Sequence, residues 1–166
     1  MKILIIGGTR YIGLRLYKDL KKEKSLKIYT LSRSKFINKN HIICDRNNYY
    51  KLEKVFKKIN PEIILDMVNF SGQNSKDIKN LFEKKKIPSL KHYIVISSFF
   101  VYEYFSLKKY REKILTTKQK IEKDSYTKNK VEMEKNLYSS KIFDITTIVR
   151  FPFIFSFDDY TGRFQK

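Results

Sequence analysis

A chain of 166 residues is long enough to bury a sizeable core without staples, and its one cysteine, Cys44, excludes an internal disulfide; a single domain in a reducing compartment is expected. The formal charge of +19 is open to two readings: a footprint for nucleic acid or an anionic membrane, or compositional drift in a chain rich in Lys, Ile and Asn whose lysines are spread among interleaved acids. No stretch approaches the ~18 apolar residues of a membrane span, Ile3–Ile6 is too short for a secretory core, and His41 and His92 lack metal-ligand spacing; a cytoplasmic chain with no membrane or metal partner is expected.

In chain order, Ile3–Ile6 reads as a buried strand, Gly7-Gly8 as a turn and Tyr11–Glu23 as an amphipathic helix. Leu26–Leu31 is a second strand and His41–Cys44 a short third. Tyr49–Ile59 is helical, with Leu52, Val55, Phe56 and Ile59 at helical spacing, and Pro61 ends it. Glu62–Val68 is a fourth strand, Asp77–Lys86 a lysine-rich helix and His92–Ser97 a fifth strand. Leu107–Lys123 is a charged helical stretch, Ser125–Ser139 a further helix and Phe143–Val149 a sixth strand. Strands alternating with helices predict an α/β fold: a doubly wound, Rossmann-type parallel sheet of about six strands, helices on both faces, joined by right-handed crossovers.

The chemistry-bearing motifs lie at strand ends. Gly7-Gly-Thr-Arg-Tyr-Ile-Gly13, between strand and helix, has the form of a dinucleotide-binding turn. Gly7 permits the tight turn, the turn amides and helix N-terminus face a pyrophosphate, and Gly13 lets helix and strand approach. Arg10 occupies the place of the middle glycine. Folds that prefer NAD carry an acid about 20 residues on, for the ribose 2′-hydroxyl. No acid lies there, but Arg33 does; with Arg10 it could grip a 2′-phosphate, or it is a solvated loop residue. In Cys44-Asp-Arg46, Asp45 could accept from an adenine amino group, or serve as a cap or turn residue. Ser97-Ser98 ends the fifth strand, where parallel sheets bind ligands and where ordinary turn chemistry also occurs. Tyr126 and Lys130 stand at i and i+4, so phenol and ammonium share a helical face. A free phenol titrates near pH ~10. A neighbouring cation lowers that value, so Tyr126 could exchange a proton with a substrate oxygen while a nicotinamide exchanges hydride. Ser98 could hydrogen-bond the same oxygen.

In this order the motifs resemble the extended short-chain dehydrogenases/reductases, the NAD-dependent epimerase/dehydratase family. The matching residues are Gly7 to Gly13, Ile96-Ser-Ser-Phe-Phe-Val-Tyr102, Tyr126-Thr-Lys-Asn-Lys130 with Glu132 and Glu134, and Ile148-Val-Arg-Phe-Pro152. The G-G-T-R-x-I-G form is similar to a sub-branch, including chloroplast stem-loop-binding proteins, in which Arg in the turn is normal. The resemblance implies a catalytic set of Ser98, Tyr126 and Lys130, with Lys130 also holding the nicotinamide ribose. It implies a cofactor site drawn from Gly7, Thr9, Arg10, Tyr11, Ile12, Gly13, Arg33, Asp45, Arg46, Met67, Val68, Asn69, Tyr126 and Lys130. The expected cofactor is NADP, with NAD as the alternative, and the expected substrate a sugar nucleotide or other small hydroxyl or carbonyl compound.

Two positions depart from the family pattern: Glu103 stands where Gly is usual, and Ser156-Phe157 where a Gly-Pro pair is usual. Residues 1–150 are expected to form the NAD(P)-binding domain and residues 151–166 to begin a truncated substrate segment, with the aromatic run Phe151–Phe157 as an exposed patch or a partner surface. The resemblance implies a homodimer through the helices at Asp77–Lys86 and Ser125–Ser139; a separate chain could supply the rest of the substrate domain. Two alternatives stand beside the reductase or epimerase reading: an RNA- or polyanion-binding protein on the same fold, with weak non-specific nucleic-acid binding, and an inactive or partner-dependent remnant.

Overall fold

Leu and Ile fill the first strand, β1 (Lys2–Ile6), and Ile3 to Ile6 are all buried. Burial on both faces is the condition of a central parallel strand. The computed structural model describes residues 1–105, 125–152 and 154. After β1 come α1 (Tyr11–Leu20), β2 (Lys27–Ser32), β3 (His41–Ile43), α2 (Tyr49–Ile59), β4 (Ile63–Asp66), α3 (Gly72–Glu83), β5 (His92–Ser98), α4 (Ser125–Tyr138) and β6 (Thr146–Phe151). Short 3₁₀ segments cover Phe99–Phe105 and Lys141–Ile145. The six strands form one parallel sheet in the order β3-β2-β1-β4-β5-β6. The order reverses between β1 and β4, which opens a crevice above their carboxyl ends.

Alternation along β1 divides the core. Leu4 and Ile6 face one side, with Leu52 and Phe56 of α2, Ile78 and Leu81 of α3, and Met133 and Leu137 of α4. Ile3 and Ile5 face the other, with Tyr17, Leu14 and Leu20 of α1. Helices therefore cover both faces, as the alternating pattern predicts. Removing a ring such as Phe56, fully buried, costs about 3–5 kcal/mol by transfer and cavity formation together. No helix among the described residues is long and apolar enough to cross a membrane.

Several element boundaries differ from expectation. Helix α1 ends at Leu20, with Lys21 as its cap, rather than at Glu23. Helix α3 starts at Gly72, five residues before the expected Asp77. The Ser71 side chain accepts from the Asn74 N–H at 3.2 Å, and Asn74 Oδ1 accepts from the Phe70 N–H at 3.1 Å; this reciprocal cap begins the helix early. Strand β4 is limited to Ile63–Asp66 within the expected Glu62–Val68. Strand β6 is displaced from Phe143–Val149 to Thr146–Phe151, because Phe143 sits in the 3₁₀ segment with its ring 4.6 Å from that of Tyr138. The helix expected over Leu107–Lys123 lies outside the described residues, as does most of the aromatic run after Pro152.

Candidate functional site

A cavity of about 960 Å³ lies along the carboxyl ends of the strands. Its first wall is the glycine turn. Gly7 has φ +84, and a Cβ there would press on Val68 Cγ1 at 2.7 Å. Arg10 is extended, at φ −141 and ψ 153, so the place of the middle glycine makes no demand for positive φ. The left-handed residue is Tyr11, at φ 47. Helix α1 then starts with no side-chain capping bond and no acid in its first turn. Tyr11, Ile12 and Gly13 line the cavity, so the wall presents helix N-terminal amides and the positive end of a helix dipole, the elements of an anion site.

Beyond this wall lie the ends of β2 and β3. Arg33 is exposed and lines the cavity with Arg10. Asp45 also lines it; its Oδ1 accepts from the Asn47 N–H at 2.9 Å, the turn geometry that an Asx residue favours. Arg46 reaches the lining but is buried, its guanidinium turned to the Asp66 carboxylate. Met67 and Val68 form the floor. Asn69 lies behind it, buried, with Nδ2 donating to the Tyr93 hydroxyl at 3.0 Å.

The opposite end carries Ser98, Tyr126 and Lys130. Ser98 is the last residue of β5; its Oγ accepts from the Phe100 N–H at 3.3 Å. Tyr126, 45% exposed, stands in the first turn of α4. Both side chains line the cavity. Lys130, one turn further, is 1% exposed and lies behind the wall. Its Nζ donates to the Asn69 and Ile96 carbonyls, each at 2.8 Å. The ammonium lies 5.9 Å from the centre of the Tyr126 ring and 5.0 Å from that of Phe70, within cation–π range of both. Burial lowers its pKa to about 8, against the opposing charges of Asp66 and Glu134 and with the help of Arg46.

Two buried networks hold this end together. Glu134, fully buried in α4, accepts from Ser97 Oγ of β5 and from Arg150 of β6, the latter at 3.1 Å from Nε and 2.7 Å from Nη2. The helix bearing Tyr126 is thereby tied to the two strands beside it. The second network joins Arg46, Asp66, Tyr93 and Asn69 under the floor. Of its members Asp66 and Tyr93 escape a motif search, because the partners are far apart in sequence. One signal was available: an acid closing the apolar run Ile63-Ile-Leu-Asp66 at the carboxyl end of a parallel strand. Among the described residues, no three His, Cys, Asp or Glu side chains are grouped to hold a metal ion.

The sequence matches no protein-family model and no curated protein. The structure is similar to a short-chain dehydrogenase/reductase from Veillonella parvula in complex with NADP: 17% identity, TM-score 0.64, covering 90% of this chain and 68% of that one. It is similar to the UDP-N-acetylglucosamine 4-epimerase of Bacillus cereus at 17% identity and TM-score 0.69, over 96% of this chain and 58% of that one. It is also similar to the dTDP-glucose 4,6-dehydratase of Bacillus anthracis in complex with NAD, at 17% identity and TM-score 0.63, over 90% and 54%. The chain has the Rossmann-like fold of these dehydrogenases, epimerases and dehydratases, and it spans about half to two thirds of their length.

Proposed function

We propose that this chain binds NADP(H), with NAD(H) as the alternative, across the cavity at the strand ends, and that Ser98, Tyr126 and Lys130 serve hydride-transfer chemistry on a small hydroxyl or carbonyl substrate such as a sugar nucleotide. The observation that carries the reading is one cavity lined by the glycine turn, the uncapped start of α1 and Arg33 at one end, and by Ser98 and Tyr126 at the other. The fit to a dinucleotide is good at the turn: amides for a pyrophosphate, guanidinium groups for a 2′-phosphate, and no acid directly after β2. At the far end Ser98 and Tyr126 face the cavity, while the Lys130 ammonium is already held by two carbonyls.

The nicotinamide would supply or accept hydride. Tyr126 would exchange a proton with the substrate oxygen, and the Ser98 hydroxyl would hold that oxygen by a hydrogen bond. Lys130, behind the phenol, would favour the phenolate by its charge. A homodimer, as the resemblance implies, or a second chain completing the substrate side, in the cytoplasm, belongs to the same reading. RNA or polyanion binding on the same fold is the second reading, favoured by the +19 charge and by the resemblance to stem-loop-binding proteins.

Titrating NADPH into the purified chain is the test. A thermal or fluorescence shift that saturates is expected, and its absence at millimolar cofactor would overturn the reading. Tyr126→Phe should keep that binding and remove any turnover.

A further inference from the structure

Asp66 closes β4 beneath the cavity floor and is fully buried. Its Oδ2 accepts from Arg46 and, at 2.9 Å, from the Tyr93 hydroxyl; its Oδ1 accepts from the Val68 N–H at 3.2 Å. The Tyr93 oxygen accepts in turn from Asn69 Nδ2, and the Asn69 carbonyl accepts from Lys130. One residue, Asn69, therefore joins the carboxylate chain to the ammonium through its side chain and its backbone.

As a structural ion pair the arrangement is poor. Arg46 is buried, yet Nε and Nη1 find no hydrogen-bond partner among the described residues. Open donors on a buried cation cost stability, more than open donors on a neutral group do. An apolar pair of the same volume often does as well or better. Arg46 reaches the cavity lining, Asp66 lies behind it, and both charges act on Lys130.

We propose that Asp66 is a positioning residue for Lys130, fixing the Asn69 carbonyl on which the ammonium docks and supplying the negative charge that keeps that ammonium protonated. The proposal rests on the reading of Lys130 as the cation behind Tyr126. The groups that face Lys130 are Asp66 from β4, Arg46 from the turn after β3, Phe70 from the turn after β4, and Tyr126 and Glu134 from its own helix, Glu134 being paired with Arg150 of β6. Burial pulls the lysine toward its neutral form; Asp66 and Glu134 oppose it, and Arg46 adds to it. Asp66 is the larger of the two favourable charges, and it is the one bonded to the residue that holds Nζ.

The experiment is an NMR titration of the full chain carrying ¹⁵N-labelled lysine side chains, taken from about pH 5 to about pH 11, above the free lysine value. A buried ammonium with two hydrogen bonds exchanges its protons slowly and is resolved from solvated lysines; the Lys130→Met variant assigns it by its disappearance. Asp66→Asn keeps the shape and removes the charge, and the Lys130 midpoint should fall by about one unit. Because Asp66→Asn strands Arg46, the pair Arg46→Met with Asp66→Asn removes both charges and leaves no unpaired ion. It too should lower the midpoint, since the carboxylate outweighs the guanidinium at Lys130. An unchanged or raised midpoint in the variant that folds overturns the proposal. Failure of NADPH to bind would instead remove the reading of the cavity and leave this titration intact.

Discussion

Arg33 illustrates how much one side chain decides. It follows β2, exposed, beside Ser32, whose hydroxyl donates to the Ser34 carbonyl at 3.0 Å. A hydrogen bond to a charged group is worth about 1.5–3 kcal/mol. Arg33→Ser should therefore weaken NADPH binding by roughly ten- to a hundredfold and leave NADH binding unchanged. Calorimetric titration of both cofactors checks this; an equal loss for both would assign Arg33 to the pyrophosphate or to the fold. At this scale the glycine turn was legible and its strain was not. Counting glycines marks Arg10 as the irregular residue, yet Arg10 is extended and the left-handed conformation falls on Tyr11. A non-glycine residue held there costs about 1–3 kcal/mol, a cost the surrounding turn must offset. The Asp66–Arg46–Tyr93 chain was illegible because its members are separated by 20 and 27 positions and meet only once β4 and β5 pair.

Helix α2 shows what an element owes to its ends. Asn48 is extended, and its side chain accepts from the Lys51 N–H at 3.0 Å; Asn60 closes the other end in the left-handed conformation. Asn48→Ala should cost about 1 kcal/mol. That corresponds to roughly 2–4 °C in Tm for a chain of this size, measured by thermal denaturation followed by circular dichroism. The bounds Tyr49–Ile59 were readable in advance because four apolar residues mark one face and Pro61 marks the stop. Helix α3 was not, because Gly-Gln-Asn-Ser resembles a loop until the Ser71–Asn74 cap is seen to hold it. That early start matters to the site: it brings Ser71 and Asn74 to the cavity wall.

At the scale of the whole molecule, charge is the dominant property. The exposed lysines stand on α1, α2 and α3 alike, and the acids among them are shared: Asp19 between Arg15 and Lys22, Glu53 between Lys57 and Lys86. Pairs this exposed contribute little to stability. Among the described residues the lysines stand on helices of both faces of the sheet, so binding to structured RNA should be evident at low ionic strength and vanish by about 0.2 M salt, as counterion release requires. Retention of one RNA fold above that salt, in a filter-binding or polarisation assay, would favour the second reading. The sheet itself confers a different kind of order. A Cβ on Gly13 would overlap the Gly7 carbonyl, and the Gly7 N–H is bonded to Leu31 of β2 at 2.8 Å. Helix and turn are thus in contact without a spacer, and the turn is stitched to the neighbouring strand β2. An opening wide enough to release a ligand at the turn would have to carry α1 with it, so that turn and helix open as one unit rather than as a loop that flickers alone.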